Sequence, residues 1–204
     1  MFEAAKQIHA GGKELQDRAE FFWCGSSLVL VVADGAGGMS GGAEAAQFFV
    51  EGVRKRIGTA SMNTDGLTEL LTLLDREMSG IGAYGETTGV VAVLSGSGVF
   101  GASVGDSGAF VFSKASLENL TANQARKPFL GSGRAIPIPF TRESLNGILL
   151  VATDGLLKYT SLEKIAATIL AADFDSAANK LVELVRYQSG ALPDDISILL
   201  AQKT

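Results

Sequence analysis

Val31-Val32-Ala33-Asp34-Gly35 and Val151-Ala152-Thr153-Asp154-Gly155 repeat one local design, a buried-looking apolar strand that ends in an acid followed by glycine. The glycine lets the backbone turn tightly and leaves its carbonyl accessible. Two more acidic strand ends follow the same logic: Asp106 closes Ala102-Ser103-Val104-Gly105-Asp106, and Asp194-Asp195 opens Pro193-Asp194-Asp195-Ile196-Ser197. Taken singly, Asp-Gly is a turn dipeptide. Four acids at apolar strand ends, with no neighbouring Lys or Arg, carry a stronger implication. If the ends converge, the carboxylates repel and raise one another's pKa, and a hard divalent cation is needed to hold them together. Mg²⁺ or Mn²⁺, octahedral with oxygen ligands, is the natural guest.

Working outward, apolar runs of strand length recur at Leu28–Ala33, Gly89–Leu94, Val99–Val104, Ala109–Ser113, Ile148–Ala152 and Ile196–Ala201. Ala43, Ala46, Phe49, Val50, Val53 and Ile57 fall at helical steps between Gly42 and Ile57, with Ser40 available as an N-cap. A second helix is expected from Leu67 to Met78, a third from Thr160, whose spacing to Glu163 matches a capping box, and a fourth after Asp175. Grouped strands and grouped helices indicate α+β layers rather than alternating βαβ units. Thr121–Phe140 holds Pro128, Pro137, Pro139, Gly131 and Gly133 without a clear period, and is expected to form a functional flap.

Composition narrows the chemistry. The 204 residues fit one domain, 1–204, and a hydrophobic share of 47 % supplies a sizeable core. A net charge of −5, with no basic stripe beyond Arg54-Lys55-Arg56, argues against nucleic acid and against an anionic membrane surface. Cys24 is the only cysteine and His9 the only histidine, so disulfides, zinc clusters and multi-imidazole sites are excluded and any metal is held mainly by oxygen. No apolar run approaches the roughly 20 residues of a membrane span, and no signal-peptide core opens the chain, so the protein is expected in the cytoplasm.

The motifs Asp34-Gly35-Ala36-Gly37-Gly38, Glu86-Thr87-Thr88, Val104-Gly105-Asp106-Ser107, Thr153-Asp154-Gly155-Leu156 and Asp194-Asp195-Ile196-Ser197 together resemble, in order and over nearly the whole chain, the metal-dependent protein phosphatases of the protein phosphatase 2C family. That resemblance implies a four-layer α-β-β-α sandwich of two antiparallel sheets with a binuclear Mn²⁺/Mg²⁺ centre at one edge. It implies that Asp34 bridges both metals, that Gly35 offers its carbonyl, and that Asp154 and Asp194 complete one shell. Asp106 matches a position that helps hold a third, more labile ion, and Asp17 resembles the acidic end of the N-terminal motif. A water shared by the two cations would attack phosphorus in line, so no protein nucleophile is needed. The implied substrate is a phosphoserine or phosphothreonine protein, and the implied partners are a Ser/Thr kinase or its targets.

The chain also departs from the family. Gly12 stands where many members carry an Arg that grips substrate phosphate, leaving Lys13 as a candidate; a lysine is a point charge rather than a bidentate fork. Ala36 stands in place of a His found in eukaryotic members, Gly108 in place of an Arg, and Leu15 in place of an Asn. Two alternatives therefore stand beside a broad phosphatase: a pseudophosphatase that binds a signalling partner, and an enzyme narrowed to one regulatory phosphoprotein. A serine hydrolase is excluded, although Gly38-Met39-Ser40-Gly41-Gly42 and Gly101-Ala102-Ser103-Val104-Gly105 fit Gly-x-Ser-x-Gly, because no His follows either serine.

Overall fold

Leu28, Leu30 and Val32 pack into one apolar layer, Val29, Val31 and Ala33 into another, and all six are buried. A strand with no solvent face has no reason to alternate polar and apolar residues, which is why its sequence is an unbroken apolar run. The computed structural model describes residues 1–36, 41–82, 85–96 and 98–204. In chain order the elements are β1 (Phe2–His9), β2 (Arg18–Cys24), β3 (Ser27–Ala33), α1 (Gly42–Arg56), α2 (Thr64–Ile81), β4 (Gly89–Ser95), β5 (Gly98–Val104), β6 (Gly108–Phe112), β7 (Leu117–Asn119), β8 (Ile138–Arg142), β9 (Ile148–Ala152), α3 (Asp154–Leu157), α4 (Leu162–Ala171), α5 (Phe174–Glu183) and β10 (Ile196–Lys203).

Two five-stranded sheets result, ordered β2-β3-β4-β5-β8 and β1-β10-β9-β6-β7. Every pairing is antiparallel. Helices α1 and α2 cover the outer face of the first sheet, where Phe49, Val53, Leu71 and Leu74 meet Val29, Val31, Val91 and Val93. Val90 and Ala92 meet Val111, Val151 and Leu199 between the sheets, and α4 and α5 lay Ile165, Leu181 and Val182 on Leu150, Ile198 and Leu200. The α+β expectation, a four-layer α-β-β-α sandwich, is the architecture observed. Phe49 and Phe112 are the largest fully buried side chains, and truncating either to Ala costs ~3–5 kcal/mol.

Local capping chemistry sets the helix ends, and several differ from expectation. Helix α2 outruns Leu67–Met78 because Asn63 accepts from the Gly66 N–H at 2.9 Å and Gly82, at φ 65°, closes the other end. Ser161 rather than Thr160 caps α4, accepting from the Lys164 N–H at 3.4 Å, so the Thr160–Glu163 capping box does not form. Helix α5 starts at Phe174, before Asp175, because Phe174 already packs on the core below it. Gly41 holds the N-cap position of α1; Ser40 lies outside the described residues, as do Gly37, Gly38 and Met39.

Strands β1 and β2 extend the sheets beyond the runs read from sequence, and Cys24, in β2, packs half-buried against the α1/α2 layer. Residues 138–140 of the irregular stretch belong to β8. This edge strand tolerates Pro139 because an edge needs fewer ladder donors. Among the described residues no helix is long and apolar enough to cross a membrane.

Candidate metal centre

Asp34 follows β3, Asp106 follows β5, Asp154 follows β9 and Asp194 precedes β10. The antiparallel pairing of Arg18 with Ala33 puts Asp17, just before β2, at the same end of the sandwich as Asp34. There Asp34, Gly35, Asp106, Asp154 and Asp194 line one cleft of about 500 Å³, together with Gly12, Glu14, Glu86, Thr88, Asp195, Arg126, Lys127 and Phe129. Lys13 is exposed and is not among the residues lining the cleft, although Gly12 and Glu14 on either side of it are.

The backbone beneath the acids is tightly tied. The Asp34 N–H donates to Thr88 Oγ1 at 3.0 Å, and the Asp34 carbonyl accepts from Thr87 Oγ1 at 2.8 Å and from the Thr88 N–H at 2.9 Å. Thr88 Oγ1 in turn shares a 2.6 Å hydrogen bond with Ser107 Oγ, next to Asp106. Asp195 accepts the Gly11 N–H at 2.8 Å on Oδ1 and the Gln16 N–H at 2.6 Å on Oδ2, which pins the N-terminal loop to the start of β10. Gly155 cannot be replaced without movement here, because a Cβ would stand 1.8 Å from the Asp195 carbonyl oxygen. Asp17 is 1 % exposed; its Oδ2 accepts the Thr153 hydroxyl at 2.7 Å, while its Oδ1 is buried without a partner.

The electrostatics follow from this crowding. Burial, then the charges of Asp17, Asp154, Asp194 and Asp106, push the Asp34 carboxyl up to about 9. Burial also raises Asp17 to about 7; the Thr153 hydroxyl opposes that rise, and the charges of Asp195 and Asp154 add to it. Asp154 moves upward through burial and the charges of Asp106 and Asp194, opposed by Lys158 and by a hydrogen bond with Asp34. Among the described residues no three ligating side chains close around a single point. Asp106 Oδ2 accepts from Arg126 Nε at 2.7 Å.

The five acids expected from sequence thus stand at one end of the sandwich, four on the cleft and Asp17 beneath it. Sequence reading had assigned no role to Thr87, Thr88 and Thr153, although all three lie inside quoted motifs, nor to Asp195 as the anchor of the N-terminal loop. Arg126 and Lys127, from the irregular stretch, also line the cleft.

No protein-family model matches the chain, and no curated protein matches it by sequence. Solved structures do match over its whole length. A mutant of a bacterial serine phosphatase superposes with a TM-score of 0.88 at 22 % identity, covering 100 % of this chain and 99 % of that one. The serine/threonine phosphatase Stp1 from Staphylococcus aureus gives 0.85 at 20 % identity, covering 100 % and 96 %. The catalytic domain of the serine/threonine protein phosphatase PstP, solved in complex with two manganese ions, gives 0.82 at 19 % identity, covering 98 % and 97 %. The fold is therefore that of the bacterial serine/threonine phosphatases, as the resemblance implied.

Proposed function

We propose that this chain is a metal-dependent serine/threonine protein phosphatase acting on phosphoserine and phosphothreonine proteins, opposite a Ser/Thr kinase. The observation that carries this reading is the gathering of Asp34, Asp106, Asp154 and Asp194, from four different strand ends, around one cleft with the unpartnered Oδ1 of Asp17 beneath it. An all-oxygen donor set with excess negative charge fits two hard divalent ions, Mn²⁺ or Mg²⁺, with room for a third. Asp34, the Gly35 carbonyl, Asp154 and Asp194 would hold the pair; Asp106 and Asp17 would serve the third ion and the floor of the site. When bound, such ions acidify water for in-line attack on phosphorus and offset the charge on the phosphoryl oxygens.

The chain's own residues supply the frame. Thr87, Thr88 and Ser107 fix the Asp34 backbone, Thr153 orients Asp17, and Asp195 holds the N-terminal loop at the rim. The cleft is open and its rim is polar, which suits a phosphorylated side chain carried on a protein surface. Gly12 on the rim favours the second reading, a partner-binding module without turnover.

Hydrolysis of p-nitrophenyl phosphate and of a phosphothreonine peptide, with Mn²⁺, with Mg²⁺ and with chelator, separates the two. Release that is lost in chelator is expected. Absence of release from both substrates, with Mn²⁺ binding confirmed by titration, would refute a broad phosphatase and leave the partner-binding module or an enzyme narrowed to one phosphoprotein.

A further inference from the structure

Asp75 is a carboxylate on the apolar face of α2, 2 % exposed, away from the acids of the cleft. Its partners are three backbone N–H groups of the irregular stretch: Gly131 at 2.8 Å and Gly133 at 3.0 Å on Oδ1, and Ala135 at 3.0 Å on Oδ2. Gly131 at φ 96° and Gly133 at φ 71° adopt the left-handed conformation that turns successive N–H groups toward one anion. The ties continue into the cleft. Leu130 exchanges both backbone hydrogen bonds with Thr87 at 3.0 Å, and Thr87 donates to the Asp34 carbonyl. On the other side Gln124 Nε2 donates to the Ser107 carbonyl at 2.7 Å. The segment between these anchors carries Arg126, Lys127 and Phe129 to the cleft, with Lys127 Nζ 5.3 Å above the Phe129 ring.

Arg126 and Lys127 are the cationic side chains among the residues that line the cleft. A phosphate dianion entering between so many carboxylates needs such a contact. Arg126 is 71 % exposed in its pair with Asp106, and a pair with so exposed a partner is weak, so the guanidinium leaves it readily for phosphate. We infer that Asp75 is a positioning residue for substrate binding: it holds the loop through Gly131, Gly133 and Ala135 so that Arg126 and Lys127, which line the cleft, meet the substrate phosphate. This rests on the phosphatase reading of the cleft.

The test uses the Mn²⁺-loaded full chain and two variants, Asp75→Asn and Arg126→Ala. Calorimetry gives the Kd for inorganic phosphate and for Mn²⁺; steady-state assays give kcat and KM for p-nitrophenyl phosphate. Arg126→Ala is expected to weaken phosphate binding and raise KM about tenfold or more, the scale of a lost charged hydrogen bond. Asp75→Asn is expected to do the same about three- to tenfold, because its amide opposes the Ala135 N–H. In Asp75→Asn, Mn²⁺ affinity and kcat should move less than twofold, an outcome that general destabilisation would not give. Should Asp75→Asn fail to fold, Gly133→Ala disturbs the same nest from an exposed position. Unchanged phosphate Kd and KM in the variants, or no phosphate binding by the wild type, would overturn the inference. A wild type that binds phosphate and hydrolyses no p-nitrophenyl phosphate would overturn the reading as a broad phosphatase instead, while the variants' phosphate Kd still decides the role of Asp75.

Discussion

Thr153→Val removes one oxygen from the floor of the cleft and keeps the shape of the side chain. The hydroxyl is fully buried, donates to Asp17 Oδ2 at 2.7 Å and accepts the Ser197 N–H at 2.9 Å. Valine therefore leaves two buried polar groups unsatisfied. Above the Asp17 pKa of about 7, one of the lost bonds is to a charge, and the loss together with the orphaned N–H comes to about 2–5 kcal/mol in metal-free protein. Near pH 5 Asp17 is protonated in the folded chain, both lost bonds are between neutral groups, and the cost falls to about 1–3 kcal/mol. The sign agrees with linkage: a raised carboxyl pKa gives stability that is full below 3.8 and is lost as pH rises through about 7, and Thr153 limits that loss. Urea unfolding in chelator at pH 5 and pH 8 measures both, and the larger loss corresponds to a melting temperature lower by about 5–20 °C. A loss below about 0.5 kcal/mol at pH 8, or equal losses at the two pH values, would refute the role given to Thr153.

Three further outcomes are expected. Chelated wild-type protein should lose stability as pH rises from 4 to 9, since Asp34 is raised to about 9, Asp17 to about 7 and Asp154 upward; saturating Mn²⁺ should flatten the profile, and a rise in stability across that window without metal would contradict it. Asp34→Asn should raise the melting temperature in chelator above pH 7 while weakening Mn²⁺ binding more than about tenfold, so an unchanged Mn²⁺ titration would remove Asp34 from the metal set. Gly12→Arg should lower KM for p-nitrophenyl phosphate about tenfold, because a Cβ at Gly12 meets nothing within 4 Å and the new fork would face the cleft; a higher KM would show that the N-terminal rim does not face phosphate.

The strands most legible in the sequence are those buried on both faces: β3, β4 and β9 read as unbroken apolar runs. β1 is a half-buried edge strand containing Lys6, Gln7 and His9, and nothing in its composition separates it from a loop. β8 is hidden by Pro139, which only the strand's place at a sheet edge makes acceptable. The acids of the site were legible because carboxylates at the ends of apolar runs conflict with burial unless something resolves the conflict. The threonines that orient them were not, since a buried hydroxyl has no sequence signature of its own. Asp75 did leave a trace: it lies four residues after Leu71 and three before Met78, on the apolar face of α2, where a charge needs a partner. Arg126 left none, because its meaning depends on where the loop is tied.

β10 lies between β1 and β9, so the second sheet is joined through the last strand of the chain, with Phe2 opposite Lys203. During synthesis at about 5–20 residues per second, the first sheet and its two helices can pair while that partner does not yet exist. Asp194 arrives with the same segment. A nascent chain therefore carries an exposed β1 and an incomplete set of acids until β10 has been made, and the gathering of the acids and closure of the second sheet become one late event, slow in the manner of contacts between distant parts of a chain.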